Sequence, residues 1–174
     1  MNQHRYILTT SRLRLREFTE NDIDNLMLIN SDPQVMQYFS NTLDHAENGA
    51  LLQQILARNK RDGTSFWAAE LLQTSEFIGM IGLLQQTIDD AEELEIAYRV
   101  ARKHWGQGYA TEAALGCKEY AFNQLARDRV ISLIRPVNIP SIRVAEKVGM
   151  KLEKMIMFHG FEHRVYCVEQ DTRI

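Results

Sequence analysis

Two glycines one residue apart, Gly106 and Gly108, end the segment YRVARKHWGQG and open what reads as a helix, a combination suited to holding an anion. Glycine admits backbone conformations closed to other residues and lets the main chain come close to a ligand. The helix that follows presents unpaired N–H groups and a partial positive charge. A dinucleotide fingerprint would need a third glycine where Thr111 stands, and an acidic residue after the next strand, where Val130–Ile134 runs into Arg135. No Gly-Lys-Ser/Thr follows, so the nucleotide phosphate loop does not fit either. Taken alone, a GxG before a helix is equally well explained as a tight turn.

Further along, VNIPSIRVAEKVGM (Val137–Met150) reads as a loop, a short helix over Ser141–Val148 and a glycine stop, with Ile142, Ala145 and Val148 on the inner face. Asn138 and Ser141 are three apart, and either can cap this helix. On the strand predicted at Leu94–Val100, Glu95, Ala97 and Arg99 share one face, while Leu94, Ile96, Tyr98 and Val100 share the other.

A strand entering a G-x-G-helix, followed by N-x-x-S-I-x-x-x-E-K-x-G, resembles the GNAT superfamily of acyl-CoA-dependent N-acetyltransferases, in particular its ribosomal-protein N-terminal acetyltransferase branch. The likeness covers nearly the whole chain. Thr10–Arg16 (TSRLRLR) followed by Asp22 is similar to that branch's first strand and helix, and Asp32–Met36 (DPQVM) to its DPxVM turn. Phe66–Ala68 with Phe77–Leu83 (FIGMIGL) is similar to its central hairpin, and Leu94–Tyr98 (LEIAY) to its fourth strand. Two positions depart from the pattern. Lys103, with Arg102 beside it, stands where the phosphate loop usually opens with Gln or Arg, and Ala145 stands where many members carry a tyrosine general acid.

The resemblance implies a GNAT-like α/β fold: one mixed sheet of about seven strands, helices on both faces, and a cleft between the fourth and fifth strands, here Leu94–Val100 and Val130–Ile134. It implies acetyl-CoA as cosubstrate and assigns it to Tyr98, Arg99, Val100, Lys103, Gly106, Gln107, Gly108, Tyr109, Ala110 and Thr111, with Asn138 and Ser141 across the cleft. Acetyl transfer to an amine needs a proton acceptor, because free alkyl amines are mostly protonated at pH 7. Glu95, at the family's base position, takes that role, acting through water; its plainer alternative is an exposed strand-edge carboxylate. A backbone N–H near Ala97 or Tyr98 would serve the developing oxyanion. Ser141, with Asn138 alongside, would donate a hydrogen bond to the departing thiolate. By resemblance, Ser31–Phe39 and the hairpin tip Phe158–Phe161 wall the acceptor side, while the acidic stretch Asp89–Glu93 either attracts a cationic amine or is a solvated turn. The acceptor implied is the N-terminal amine of a protein; a small-molecule amine (amino acid, polyamine or aminoglycoside) is the alternative, and a non-catalytic acyl-CoA-binding module a second one.

The chain has 174 residues, 45% of them hydrophobic, which suits one domain over residues 1–174 with a sizeable core. The N-terminal stretch MNQHRYILTTSRLR has neither the apolar run nor the cleavage site of a signal peptide, so a soluble cytoplasmic protein without a membrane partner is expected. A net charge of -3 argues against broad nucleic-acid binding. Arg12, Arg14 and Arg16 alternate with Leu13 and Leu15, as on the solvated side of a half-buried strand. Cys117 falls in line with Ala110, Ala114, Ala121 and Leu125 at helical spacing, as a small core residue. His159 and His163 flank Gly160 in a hairpin turn, and no metal is expected. Helices are predicted near Asp22–Asn30, Ala46–Arg61 and Gly108–Leu125; strands near Arg12–Glu17, Phe66–Leu72, Glu76–Leu84, Leu152–Phe158 and Glu162–Val168 complete the set. Monomer and homodimer are equally compatible with this sequence.

Overall fold

The computed structural model describes residues 5–171; residues 1–4, which begin the N-terminal stretch read above, and 172–174 lie outside it. In chain order the elements are β1 (Tyr6–Thr9), β2 (Leu13–Arg16), α1 (Ile23–Asn30), α2 (His45–Asp62), β3 (Phe66–Leu71), β4 (Phe77–Ile88), β5 (Ala91–Val100), α3 (Tyr109–Asn123), β6 (Arg129–Ile134), α4 (Ile139–Lys147), β7 (Lys151–Phe158) and β8 (Phe161–Glu169). All strands join one eight-stranded sheet in the order β1-β2-β3-β4-β5-β6-β8-β7. Seven of them are those expected; the eighth, β1, is a four-residue edge strand too short to show alternation.

β4 is buried on both faces from Phe77 to Leu84, which explains why its sequence is a continuous apolar run rather than an alternating one. On one face, α3 lies close to the sheet because its inner stripe is small: Ala113, Ala114, Cys117 and Ala121 are fully buried. Cys117 is therefore the core residue expected, and burial pushes its thiol up. On the other face, α1 and α2 pack Leu26, Ile29, Leu52 and Ile55 against Ala68, Phe77 and Met80. A capping box between Asp44 and Glu47 starts α2, and Gly63 in the left-handed region ends it.

Two local expectations are corrected. Arg16 is only 4% exposed, not on a solvated face: Asp22 receives two of its N–H groups, at 2.8 Å each, and Glu70 a third at 2.7 Å. β2 lies between β1 and β3, with the Glu20–Asp22 turn over it, so this charge is sheltered and has to be paired. The acidic stretch 89–93 is a two-residue turn, Asp89-Asp90, both with positive φ (48° and 64°); Glu92 and Glu93 belong to β5.

The site depends on how β5 meets β6. They run parallel but share a single register pair, Glu95 with Ile131, while every other neighbouring pair is antiparallel. Beyond that pair the strands part, held at the fork by the Ser132 hydroxyl, which donates to the Ile96 carbonyl at 2.7 Å. The opening is the cleft expected between these two strands.

Candidate active site

At the end of β5, a 3-10 turn over Arg102–His104 leads into Gly106 and Gly108, with φ of 73° and 80°. Both angles are ones that residues with a side chain avoid. Gly108 is the N-cap of α3 and supplies no side-chain cap, so the first N–H groups of that helix have no side-chain partner. A Cβ added at Gly106 would meet nothing within 4 Å. The loop is fixed from outside by Arg12, whose Nη1 donates to the Gln107 carbonyl (3.0 Å) and whose Nε donates to Glu112 (2.6 Å), with the guanidinium 4.5 Å from the centre of the Tyr109 ring. Glu112 also accepts from the Thr10 hydroxyl (2.6 Å) and the Arg12 backbone N–H (2.8 Å).

Next to this loop is a cavity of about 470 Å³, bounded by Tyr98, Arg99 and Val100 of β5, by Gly106 and Gly108–Thr111, and by α4. Of the expected cofactor residues, Lys103 and Gln107 are not on its wall. Lys103 is ion-paired with Glu76, and Gln107 gives its carbonyl to Arg12 and its amide to the Lys103 carbonyl. Besides Arg99, the cations on the wall come from one side of α4, Arg143 and Lys147. Their spacing of four, which puts them on one side of a helix beginning just after Asn138, is a signal in the sequence.

A second cavity, of about 320 Å³, shares Tyr38, Phe39, Tyr98, Arg99, Asn138 and Ser141 with the first and ends at Glu95. Glu95 is 8% exposed, so it is not a strand-edge carboxylate on the surface. Its Oε2 accepts from Gln86 Nε2 at 2.7 Å, and the backbone N–H of Leu133, across the fork, also donates to it. Burial outweighs these bonds and pushes the carboxyl up to about 7. The expected walls are present: Tyr38 and Phe39 on one side, Phe158, His159 and Phe161 on the other. The acidic turn is not among them, since Asp89 pairs with Lys154 and Glu93 with Arg129. Among the described residues no group of three His, Cys, Asp or Glu could hold a metal ion.

Asn138 and Ser141 divide the two roles open to them. Asn138 caps α4, its side chain accepting from the Ser141 backbone N–H at 3.2 Å. The Ser141 hydroxyl donates to the Tyr98 oxygen (3.1 Å), and the Tyr98 hydroxyl donates to the Ser141 carbonyl (2.9 Å). Burial, with the nearby Glu95 charge, raises the Tyr98 phenol and keeps it protonated. Ala145, where a tyrosine acid was missing, is fully buried in the core; a phenol reaches α4 from β5 instead.

The sequence profile of the acetyltransferase (GNAT) domain family matches residues 12–151. The chain belongs to that family. Among relatives of this GNAT chain, the uncharacterized protein YkkB of Bacillus subtilis (strain 168) is 41% identical over 150 residues, covering 86% of this chain and 87% of that protein. An uncharacterized N-acetyltransferase, p20, of Bacillus licheniformis is 30% identical over 152 residues, covering 86% and 84%. A crystal structure of an acetyltransferase from Agrobacterium tumefaciens str. C58 superposes with a TM-score of 0.81 at 25% identity, covering 98% of this chain and 96% of that one. The two cavities adjoin at the six residues they share, two of which, Tyr98 and Arg99, are on β5.

Proposed function

We propose that this single-domain GNAT protein moves the acetyl group of acetyl-CoA to a primary amine, most specifically the α-amine at the N-terminus of a protein or peptide. The observation that carries the reading is the pair of adjoining cavities with six residues in common: an uncapped helix N-terminus with two cations at the far side of one, and a buried carboxylate with a pKa of about 7 at the far side of the other. The phosphates of acetyl-CoA fit the N–H groups of α3, with Arg143 and Lys147 nearby. Its contribution to the chemistry is an acyl carbon joined to a thiol leaving group.

In transfer, a bond forms between the amine nitrogen and the acyl carbon, the carbon–sulfur bond breaks, and the amine gives up a proton. Glu95 accepts that proton through water, its raised pKa suiting a base that works near neutrality. The Ala101 N–H bonds to the Ile78 carbonyl on β4, and the β4–β5 register is unbroken. By the alternation of an antiparallel ladder, Ala97 and Arg99 then turn their backbone groups to β4, and Tyr98 turns its own into the cleft. The Tyr98 N–H is thus the oxyanion donor, and the Ser141 hydroxyl, turned from the Tyr98 oxygen that accepts from it at rest, is the hydrogen-bond source for the departing sulfur. Two unpaired cysteines accord with a reducing cytoplasmic setting.

Fold does not choose the acceptor, because a ribosomal L7/L12 α-N-protein acetyltransferase and an aminoglycoside acetyltransferase share it. The choice of an α-amine rests on the walls: arginines and aromatic rings suit a peptide end better than a polycation. Thiol release from acetyl-CoA, measured with N-terminal peptides, amino acids, polyamines and aminoglycosides, tests the reading. Peptide-dependent release with a mass gain of one acetyl group is expected; release with polycations alone would refute the α-amine, and binding without release would leave an acyl-CoA-binding module.

A further inference from the structure

Arg99 is a cation without a carboxylate. Its Nη1 donates to the Asn30 side-chain oxygen, its guanidinium stacks over Phe39 with 4.0 Å to the ring centre, and its Nε is closed off from solvent with no acceptor. Among the described residues Nη2 has no partner either, and no acid pairs with the side chain. Burial alone pulls its pKa down, to about 10, with no acidic group pushing back, so it stays charged. Its orientation is imposed from behind: the Asn30 amide donates to Asn48 (2.8 Å), whose own amide donates to the carbonyls of Leu43 and Asp44, and both asparagines are fully buried. A buried polar relay of this kind, ending on an unneutralised charge, is costly for a fold and is expected where a ligand supplies the missing anion.

Arg135, at the end of β6, faces the same cavity. It donates to the Tyr38 carbonyl at 2.9 Å, stacks over Phe161 at 4.2 Å, and likewise has no acidic partner among the described residues. The cavity around Glu95 therefore carries two arginines and a single carboxylate, in a chain whose net charge is -3. Arg143 and Lys147 line only the cavity beside the glycine loop and Arg135 only the one around Glu95, while Arg99, expected at the cofactor, lines both and stands where an acceptor would meet acetyl-CoA. Glu95 and Arg99 lie on one face of β5, roughly 13 Å apart along the strand. The reach of the two side chains, with a water at Glu95, shortens the span that an acceptor must bridge between its amine and its anion to that of a residue or two.

We propose that the acceptor carries a carboxylate within a residue or two of its reactive amine, and that Arg99, seconded by Arg135, selects it. This rests on the reading of the cleft as an acetyltransferase site. Guanidinium and carboxylate match edge to edge through paired hydrogen bonds, so the pair distinguishes an acid from its neutral amide.

Matched acceptors test the assignment: an α-amino acid against its carboxamide, and short peptides with Glu against Gln at the second position. Each is assayed with wild-type, Arg99→Gln and Arg99→Lys enzymes, while calorimetry gives acetyl-CoA affinity and melting curves report folding. With wild type, the acid should exceed its amide in kcat/KM by roughly tenfold to 100-fold, mainly through KM. In Arg99→Gln the preference of acid over amide should fall to about threefold or less, whatever common change in rate the variant shows with both acceptors. Arg99→Lys keeps the charge without the planar edge and should retain part of the preference, which covers the case in which the glutamine variant fails to fold. Stronger use of free amino acids than of peptides would identify the α-carboxylate as the recognised group; the reverse would identify a side-chain carboxylate. Equal rates for acid and amide, an acid preference that survives Arg99→Gln, or no transfer to any carboxylate-bearing amine would overturn the proposal. So would a loss of acetyl-CoA affinity in Arg99→Gln, which would make Arg99 a cofactor contact. A wild-type protein that fails to bind acetyl-CoA in the calorimeter would count against the acetyltransferase reading itself, and that measurement involves no acceptor.

Discussion

At the α3 end of the cleft, the surfaces turned toward a ligand are the backbone of two glycines and a helix terminus, with the side chains of Arg143 and Lys147 beside them. At the Glu95 end they are side chains drawn from the Tyr38–Phe39 segment, β3, β4, β5, β6 and the β7–β8 hairpin. On the proposed reading the first end would hold phosphate by main-chain N–H groups, which every sequence possesses and glycines expose, with the α4 cations nearby. The second recognises by charge and shape assembled across distant parts of the chain. A backbone site suits a cosubstrate shared by a whole family, and a side-chain site suits an acceptor that differs from member to member.

The comparison can be broken most forcefully at Glu95. Glu95→Gln should lower turnover on the order of 100-fold while leaving acetyl-CoA affinity intact, since a base acts on the amine alone. The wild-type rate should rise with pH through about 7, as the carboxyl ionises, and Glu95→Gln should lose that limb. The same group marks stability. Its pKa in the folded protein lies above the ordinary 4.5, so between pH 4.5 and 7 the native state holds the proton that the unfolded state has released. Stability therefore falls as pH rises across that window, by about 3 kcal/mol at most, and Glu95→Gln should flatten the slope in denaturant titrations. A variant that keeps more than half its rate, or the wild-type slope, would remove Glu95 from the mechanism or from its buried state.

At the opposite end, Gly108→Val should weaken acetyl-CoA binding by about tenfold or more, roughly 1.4 kcal/mol. The protein itself leaves room there, the nearest atom to an added Cβ being Arg12 Nη2 at 3.5 Å, but φ is +80° and the loop would shift. Unchanged affinity in a folded variant would show that phosphate does not sit on this loop. Between the two ends, Ser141→Ala should reduce turnover at saturating acetyl-CoA by roughly tenfold with little change in melting temperature, since Asn138 holds the cap. Asn138→Ala should do the converse, costing about 1 kcal/mol of stability with a smaller kinetic effect. Equal behaviour of the two variants would dissolve the division of labour between them.

What the sequence disclosed follows the same line. Glycines at 106 and 108, the helix after them, and the register of Glu95 on β5 are local properties, and each lies where its periodicity put it. Lys103 was misleading because nearness in sequence to a loop says nothing of which way a side chain turns, and Glu76 on the neighbouring strand captures it. Arg16 was misread because strand alternation describes two faces without saying which is covered, and the Glu20–Asp22 turn covers this one. Arg143 and Lys147 were visible as a helical pair but had no assigned wall until α4 was packed. The Tyr98–Ser141 hydroxyl pair joins residues 43 apart and leaves no local pattern at all.

The Thr10–Arg12–Glu112 clamp also bears on how the molecule is made. It joins segments about a hundred positions apart, and the final shape of the glycine loop depends on it. The first strands leave the ribosome long before their partner does, and contacts of such separation carry a large closure entropy and are slow to form. The cradle for the cosubstrate therefore cannot mature as an independent unit; it is completed when the two ends of this span find each other. A ligand seated on the glycine loop and α3 would hold that junction shut and slow its reopening, stabilising the folded chain as well as meeting its chemistry.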